Sequence, residues 1–390
     1  MGSTDDRLFT PAFIALTASE LAYFTVAGLI IGVTPFFVLG PLGSDEAGIG
    51  LAAAAFGATT LLLRPFAGRL ADRRGRRPLL ISGSALCAAV VLAHLLPLGL
   101  AALVGLRLLL GVAEALFFVA AYAAVADLAP RGRAGEALSY NSLALYLGLA
   151  LGPLIGQQLL KAGGFPAAWV GGFVLAAVAV VLAMRVPETT APVPSATDAP
   201  LLHRAALWPG LILFAGVSVM AGYLLLVGPH AERIGLEAWS LTFLVFGAVV
   251  VGLRVAFARL PDRVRPMRLA AGALAVIAAG LAIAAVAPGI LGLLVGTVGL
   301  ATGVAFMTPA VFAATFARVA PAERGAASGT ASMFIDLGFG GGPLVLGFIA
   351  SGLGFGAAMG VGALIALLAS LGTVAAMRIA RAGVRVPAVG

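Results

Sequence analysis

The chain alternates between long apolar runs and short polar breaks. Apolar runs of roughly 20 residues, the length that crosses a hydrocarbon core about 30 Å thick, recur from one end to the other. No long alternation of polar and apolar positions, the mark of a membrane β-barrel, is present in the sequence. The pattern predicts an all-α membrane protein with twelve transmembrane spans, near residues 9–38, 48–68, 78–98, 100–126, 136–160, 165–185, 205–230, 238–258, 267–287, 290–317, 326–352 and 355–378.

Composition and charge agree with this pattern and add an orientation. Hydrophobic residues make up 61% of the 390 positions and charged residues only 10%, whereas a soluble domain carries about 25% charged residues. The net charge of +8 comes from arginines in alternate loops, while the opposite loops hold only Lys161 and Arg233. The positive-inside rule therefore predicts a multi-pass protein of the inner cell membrane with both termini cytoplasmic. We expect a bacterial protein, a monomer surrounded by the lipid bilayer, with no nucleic-acid partner and no cleaved N-terminal segment.

The sequence repeats itself with an offset of 190 residues. The repeat brings identical residues into register in both halves of the chain: Arg64 with Arg254, Asp72 with Asp262, Gly148 with Gly338, Gly152 with Gly342 and Pro153 with Pro343. A Pro-, Thr- and Ala-rich polar stretch separates the two copies. We therefore expect two pseudosymmetric six-helix bundles, at 1–185 and 205–390, joined by a cytoplasmic linker at 186–204. Many secondary transporters have this build, with the substrate site between the halves near mid-membrane.

The loop between the second and third spans reads "GRLADRRGRRPLL", residues 68–80. Gly68 is expected to let one helix end approach its neighbour closely. Asp72 is placed to cap the next helix and to pair with an arginine across the loop.

This loop resembles the signature loop of the major facilitator superfamily, Gly-x-Leu-Ala-Asp-Arg-x-Gly-Arg-Arg, with every position matched, including Arg73 and Gly75. The twelve spans and central linker extend the resemblance over the whole chain. It implies a cytoplasmic charge cluster of Asp72, Arg76 and Asp127 that favours the outward-open state. The alternative is that these residues only anchor topology and loop shape. The second copy, residues 258–265, departs from the pattern, so a matching gate there is not expected.

The fourth span contains "RLLLGVAEALFF", residues 107–118, in which Arg107, Gly111 and Glu114 fall on one helical face. Charged side chains at this depth normally face a watery cavity or a partner. The Arg-x-x-x-Gly pair resembles a motif of the same family that is associated with proton transfer, although Leu110 stands where the family often has Gln. The alternative is a locally neutralised, structural arginine.

Two further buried acids are candidates for chemistry, Glu20 in the first span and Asp336 in the eleventh. A carboxylate in a low-dielectric cavity holds a proton more readily than one in water, as a proton carrier must. Glu20, with Tyr23 one turn further on the same face, is the favoured carrier, with Arg107 and Glu114 acting on it. Each acid has the alternative of a satisfied hydrogen bond between helices. Secondary groups lining the cavity are expected at Asn141 and Tyr146.

The fifth span carries "GLALGPLIG", residues 148–156, with glycines four residues apart. Such a stripe permits close helix contact, and Pro153 permits a bend. The residues concerned are Gly148, Gly152, Pro153 and Gly156 in the first copy and Gly338, Gly342 and Pro343 in the second. In the family that the loop resembles, the first-copy pattern is associated with proton-coupled exporters.

These features lead to a secondary transporter that exports a small organic molecule, such as a drug, metabolite or sugar-like compound, in exchange for protons. The proton gradient would replace a cofactor, because no phosphate-binding Gly-x-x-x-x-Gly-Lys-Ser/Thr loop is present. One cysteine, Cys87, and three histidines give no metal-ligand cluster. The alternative within transport is a proton-coupled symporter that imports a sugar or an organic acid bound by Arg107. An intramembrane enzyme would need clustered His, Asp or Lys near the interface, which the sequence lacks.

Overall fold

The fold of the described residues is helical and contains no strand. The computed structural model describes residues 8–96, 99–130, 133–189, 203–257, 260, 264–287, 289–319 and 324–382. Their helices are α1 (Pro11–Leu39), α2 (Glu46–Arg74), α3 (Arg76–Ala93), α4 (Leu100–Leu128), α5 (Ala134–Ala183), α6 (Arg204–Arg233), α7 (Leu241–Ala256), α8 (Pro266–Val286), α9 (Gly289–Phe316) and α10 (Arg324–Ala382). The predicted all-α membrane fold is confirmed.

Two of these helices are far longer than a bilayer is thick. Helix α5 has 50 residues and α10 has 59, so even the shorter would be about 75 Å long if straight. The backbone instead leaves the helical region at Gly163 and Gly164 in α5 and at Gly354, with φ 84°, in α10. Within the described residues nine helices are long and apolar enough to cross a membrane, and α7 is a shorter apolar helix. The exact number of twelve spans remains a prediction.

The first two helices begin where the sequence supplies side-chain caps. Thr10 Oγ1 accepts a hydrogen bond of 3.2 Å from the Phe13 amide, and Pro11 occupies the first helical position of α1. Asp45 accepts one of 3.0 Å from the Gly48 amide at the start of α2. Such caps satisfy amides that a helix leaves without partners in its first turn, and proline needs none there.

Contacts divide the chain into two compact units. Unit 1 comprises Met1–Ala199 and Leu224–Ala248, and unit 2 comprises Pro200–Tyr223 and Val249–Gly390. The expected domains at 1–185 and 205–390 remain a prediction, and residues 190–202 of the expected linker lie outside the described residues. So do Asp262 and Arg263 of the second loop copy.

In unit 1 the glycine stripe of α5 lies directly on α1. A Cβ added at Gly148 would come within 2.6 Å of the Phe24 carbonyl carbon, and one at Gly152 would overlap the backbone of Thr25 and Leu29. One at Gly156 would come within 2.7 Å of the Val33 side chain. The stripe therefore brings two helix backbones into contact, as small residues do in membranes. Pro153 packs beside Gly28 and Gly32, and the backbone of α5 stays helical there.

Unit 2 repeats this contact between α10 and α6. A Cβ at Gly338 would lie 2.9 Å from Val217 Cβ, and one at Gly342 would overlap the backbone of Ser218. Ser218 stands 190 residues after Gly28, the residue of α1 against which Gly152 packs. Pro343, the partner of Pro153 in the repeat, is buried beside Gly342. The two copies thus use the same pair of positions for the same close packing.

Candidate functional site

Glu20 is buried between α1 and α5 in unit 1, with 1% of its surface exposed. Its Oε2 accepts a hydrogen bond of 2.5 Å from the side-chain amide of Asn141 on α5. The Asn141 Oδ1 in turn accepts one of 3.2 Å from the Thr17 hydroxyl. Thr17 and Glu20 lie one turn apart on α1 and so face the same neighbour. The close α1–α5 contact made by the glycine stripe is what brings Asn141 within reach.

The second oxygen of Glu20 has a different environment. Oε1 is buried and has no hydrogen-bond partner among the described residues. Glu114, half-buried on α4, is close enough to act electrostatically on Glu20. The Tyr23 hydroxyl interacts with both Glu114 and the buried Cys87 thiol. The structure therefore brings Asn141 together with Glu20, Tyr23 and Glu114, which the sequence had already associated with one another, in one polar cluster.

Aromatic packing fixes the position of Tyr23 in this cluster. Its ring stacks on that of Phe117, with centroids 4.0 Å apart and planes inclined by 7°. Phe117 comes from α4, three residues after Glu114, so one helix supplies both the stacking surface and the second carboxylate. The Tyr23 hydroxyl is thereby held at a fixed place beside two titratable groups.

Arg107 lies away from this cluster, although it shares a helical face with Glu114. Its guanidinium donates to the Thr34 hydroxyl on α1, fourteen residues beyond Glu20. Of the two residues expected to act on Glu20, Glu114 does so and Arg107 is not among the interacting groups. Gly111, between them, packs on the backbone of α2, where a Cβ would come within 2.6 Å of the Phe56 carbonyl oxygen. Arg107 and Glu114 therefore share a helical face but contact different residues.

The two other cavity candidates, Tyr146 and Asp336, are both buried. Tyr146 on α5 is 7% exposed, and its carbonyl oxygen lies beside Gly247 of α7, within unit 1. Asp336 on α10 is 3% exposed and belongs to unit 2.

A second group of charges forms at the turn between α2 and α3. Arg76 Nη1 lies 2.7 Å from Asp72 Oδ1, and Arg76 Nε lies 3.3 Å from Asp127 Oδ2 at the end of α4. Arg76 is nearly buried, with 11% of its side chain exposed, whereas Arg73 next to the pair is exposed. The three residues expected from the family resemblance are thus in contact, and Arg76 links three helices.

Two details of this turn differ from expectation. Gly68 makes no close helix contact, because a Cβ there would find only Val119 Cγ1, 4.0 Å away. Asp72 pairs with an arginine as expected, but it does not cap α3, since its carboxylate is bound to the Arg76 side chain. The residue at the N-cap position of α3 is Gly75, with φ 92°, which has no side chain to accept a hydrogen bond from the first turn.

Glu188, which the sequence analysis did not single out, caps α3 instead. Its carboxylate accepts hydrogen bonds from the backbone amides of Arg76 at 2.7 Å and Arg77 at 3.1 Å. Thr189 adds a hydrogen bond of 2.9 Å from its hydroxyl to Asp127 Oδ2. Both residues lie in the stretch 186–204, which was predicted to be a linker, so no structural role was expected for them. An acid just after Pro187, facing a loop of four arginines, was the available signal.

Comparison with known proteins identifies the family. The sequence pattern of the Major Facilitator Superfamily matches residues 15–315. The chain belongs to the major facilitator superfamily. An uncharacterized transporter of this superfamily from Salmonella typhimurium is 30% identical over 339 residues, which cover 83% of this chain and 85% of the relative. Another, from Burkholderia mallei, is 31% identical over 356 residues, covering 86% and 84%.

Solved structures agree with this facilitator fold. The human organic anion transporter TETRAN superposes with a TM-score of 0.70 at 19% identity, covering 93% of this chain and 97% of that one. The nucleoside transporter NupG superposes with a TM-score of 0.71 at 14% identity, covering 94% and 99%. At these identities the likeness shows the fold alone. The relatives from Salmonella typhimurium and Burkholderia mallei are transporters rather than enzymes, so this chain is a multi-pass secondary transporter.

Proposed function

We propose that the protein exports a small organic molecule, such as a drug, metabolite or sugar-like compound, in exchange for protons. It would work by alternating access in the inner membrane of a bacterium, as a monomer with both termini cytoplasmic. The proton gradient would supply the energy, and no cofactor would be needed. The observation that carries this proposal is the state of Glu20, a carboxylate buried to 1% exposure with one oxygen bonded and the other without a hydrogen-bond partner among the described residues.

Glu20 has the surroundings that a proton carrier requires. Asn141 supports the ionised carboxylate by donating to Oε2, while Oε1 is available to take a proton. Glu114 places a second carboxylate nearby, and two carboxylates in a buried region repel each other when both are charged. One proton between them relieves that repulsion. A site of this kind couples transport when the outward- and inward-facing states bind the proton unequally.

Export rather than import is supported by the fifth-span pattern. The stretch from Gly148 to Gly156 resembles a pattern associated with exporters in the superfamily. For the charge cluster of Asp72, Arg76 and Asp127 we propose the gating role that the resemblance implies. Ion pairs that form in only one state stabilise that state, here the outward-open one.

Proton flux in liposomes tests this function. Purified protein is reconstituted with a pH-sensitive dye inside, and a library of small organic molecules is screened for substrate-dependent pH change. Glu20→Gln keeps the shape and the Asn141 contact but cannot carry a proton, so we expect it to abolish the flux and leave the melting temperature near that of the wild type. Glu232→Gln, an exposed acid on α6, is the matched control. Wild-type flux in Glu20→Gln would exclude Glu20 as the carrier.

One observation favours a second candidate, a proton-coupled symporter that imports an organic acid. Arg107 is a buried cation, and no acidic side chain among the described residues forms an ion pair with it. A residue that binds an anionic substrate would have the same surroundings before the substrate binds. The direction of transport separates the candidates. With the outer compartment made acidic, an exporter drives the substrate outward and a symporter accumulates it inside.

A further inference from the structure

A groove of about 390 Å³ lies in unit 2 between α8 and α10. Arg268 and Arg378 both line it, one near the start of α8 and the other near the end of α10. Ser370 ties the two helices together, because its hydroxyl donates a hydrogen bond of 2.8 Å to the Ala271 carbonyl. The groove is open to its surroundings, and both arginines are exposed. We call it the arginine groove.

The walls of the arginine groove are apolar. They are formed by Ala271, Gly272, Ala275, Val374 and Met377. Gly272 and Ala275 are exposed, although they lie in a helix that is long and apolar enough to cross a membrane. In a bilayer such a surface meets lipid chains rather than water. Arg268 precedes Ala275 by seven residues, about 10 Å along the helix, so the groove runs from the end of the span into its apolar part.

Neither arginine of the groove is accompanied by an acid. The side chains of Arg268 and Arg378 form no hydrogen bond or ion pair with any described residue. Two cations that line one groove attract an anion to the space between them. Guanidinium groups are planar sets of donors that suit the oxygens of a phosphate. The groove therefore combines a site for a phosphate with an apolar channel that leads away from it.

The first copy of the repeat supplies its own anion at the matching place. Arg378 stands 190 residues after Glu188, and α8 begins 190 residues after α3. In unit 1 the Glu188 carboxylate lies on the first amides of α3, those of Arg76 and Arg77. In unit 2 the matching residue is a base instead of an acid. An anion in the arginine groove therefore has to come from elsewhere than this position of the repeat, and the surrounding membrane is a source.

We propose that the arginine groove binds an anionic phospholipid of the bilayer. Its phosphate lies between Arg268 and Arg378, and one acyl chain follows the small apolar residues of α8 into the membrane. Basic pockets between transmembrane helices on the cytoplasmic side bind the headgroups of anionic lipids, and the positive-inside rule predicts that these helix ends are cytoplasmic. A soluble anion would use the two charges but not the apolar walls. The proposal depends neither on proton coupling nor on the direction of transport.

Lipid titration of the purified protein tests the site. The protein is prepared in a neutral detergent, and dioleoyl phosphatidylglycerol or dioleoyl phosphatidylcholine is added. Native mass spectrometry measures the apparent Kd of the bound lipid, with melting temperature as a second readout. We expect phosphatidylglycerol to bind about tenfold to thirtyfold more tightly, since each of the two arginines attracts an anionic headgroup. Glycerol phosphate, which lacks acyl chains, should not displace the lipid at equal concentration. If it did, the occupant would be a soluble anion and the proposal would be wrong.

Charge variants separate the arginine groove from the other basic surfaces of the protein. Arg268→Gln with Arg378→Gln should remove most of the preference for phosphatidylglycerol. Both residues are exposed, so the melting temperature without lipid should stay near the wild-type value. Arg74→Gln with Arg318→Gln, at two exposed arginines that do not line the groove, removes the same charge and should keep the preference. No preference in the wild type, or an equal preference in the two double variants, would overturn the proposal.

A variant that keeps both arginines tests the apolar wall. Gly272→Leu places a side chain in the groove, and the helix tolerates it because a Cβ at this position meets nothing within 4 Å. The variant should weaken phosphatidylglycerol binding. Gly252→Leu, at an exposed position of α7 where a Cβ also meets nothing within 4 Å, is the matched control and should bind like the wild type. An equal Kd in the two leucine variants would show that the lipid does not occupy the groove.

Discussion

The side-chain amide of Asn141 donates a hydrogen bond of 2.5 Å to Oε2 of Glu20 across the α1–α5 contact. The two residues are 121 positions apart and both are 1% exposed. The bond is therefore a tertiary contact made in a region that water does not reach. It depends on the glycines of α5, because a larger residue at Gly148 or Gly152 would push the two helices apart.

Removing the Asn141 amide should destabilise the protein more than removing its other hydrogen bond. Asn141→Ala leaves a buried carboxylate oxygen without its donor, at a cost of about 1–3 kcal/mol in the free energy of unfolding. Thr17→Val removes the 3.2 Å bond to Asn141 Oδ1 but leaves the amide on Glu20, and should cost about 1 kcal/mol. Unfolding of both variants in detergent measures the difference. Equal stabilities would show that the Glu20 contact contributes little.

Tyr23→Phe should lower proton flux without unfolding the protein. The phenyl ring preserves the stack on Phe117, while the hydroxyl beside Glu114 and Cys87 is lost. We expect the melting temperature to change little and substrate-driven proton flux in liposomes to fall. Tyr140→Phe, at a residue that is 45% exposed, is the control and should keep wild-type flux. Unchanged flux in Tyr23→Phe would assign the residue to packing alone.

The sequence predicted which residues matter better than it predicted the contacts between residues far apart in the chain. Apolar run length predicts helices, because a segment in lipid must satisfy its own backbone hydrogen bonds. The 190-residue repeat predicted the paired packing of Gly152 and Gly342, because it aligned two copies of one contact. Asp72 and Arg76 stand four residues apart, so their pairing is local. The Glu20–Asn141 contact depends on the register of α1 against α5, which no local pattern specifies.

Residue spacing also misled where it was used alone. Arg107 and Glu114 share a helical face, as their seven-residue separation predicts. Two turns of helix separate them by about 10 Å along the axis, so the two side chains have different neighbours, Thr34 for Arg107 and Tyr23 for Glu114. Composition misled at Glu188, which was missed because its stretch is rich in Pro and Thr and has the composition of a linker.

Alanine substitutions in the two glycine stripes should be destabilising at matched positions. Gly152→Ala would overlap the backbone of Thr25, and Gly342→Ala would overlap that of Ser218, so each should cost about 1–3 kcal/mol. Gly105→Ala in α4 and Gly360→Ala in α10 are the controls, because a Cβ at either finds nothing within 4 Å. These controls should be neutral or gain up to about 1 kcal/mol from helix propensity. Melting temperatures of the four variants measure the difference. Equal melting temperatures for the two stripe variants and the two controls would contradict the close packing.

Glu188→Gln should loosen the start of α3 while leaving the ion pairs of Arg76 in place. The variant keeps an acceptor oxygen but loses the negative charge that lies against the Arg76 and Arg77 amides, which is worth about 1 kcal/mol at a helix N-terminus. Amide hydrogen exchange in the first turn of α3 should therefore speed up about fivefold.

The same variant tests whether the cap supports the charge cluster. Arg76 contacts Asp72 and Asp127 through its side chain, so those ion pairs do not need the Glu188 charge. If the cap only orders the turn, Glu188→Gln should leave substrate-driven proton flux near the wild-type level, whereas Asp127→Asn should reduce it. Glu232→Gln, an exposed acid on α6, controls for a change in net charge. Exchange as slow as in the wild type would show that the Glu188 carboxylate is not the cap of α3 in solution.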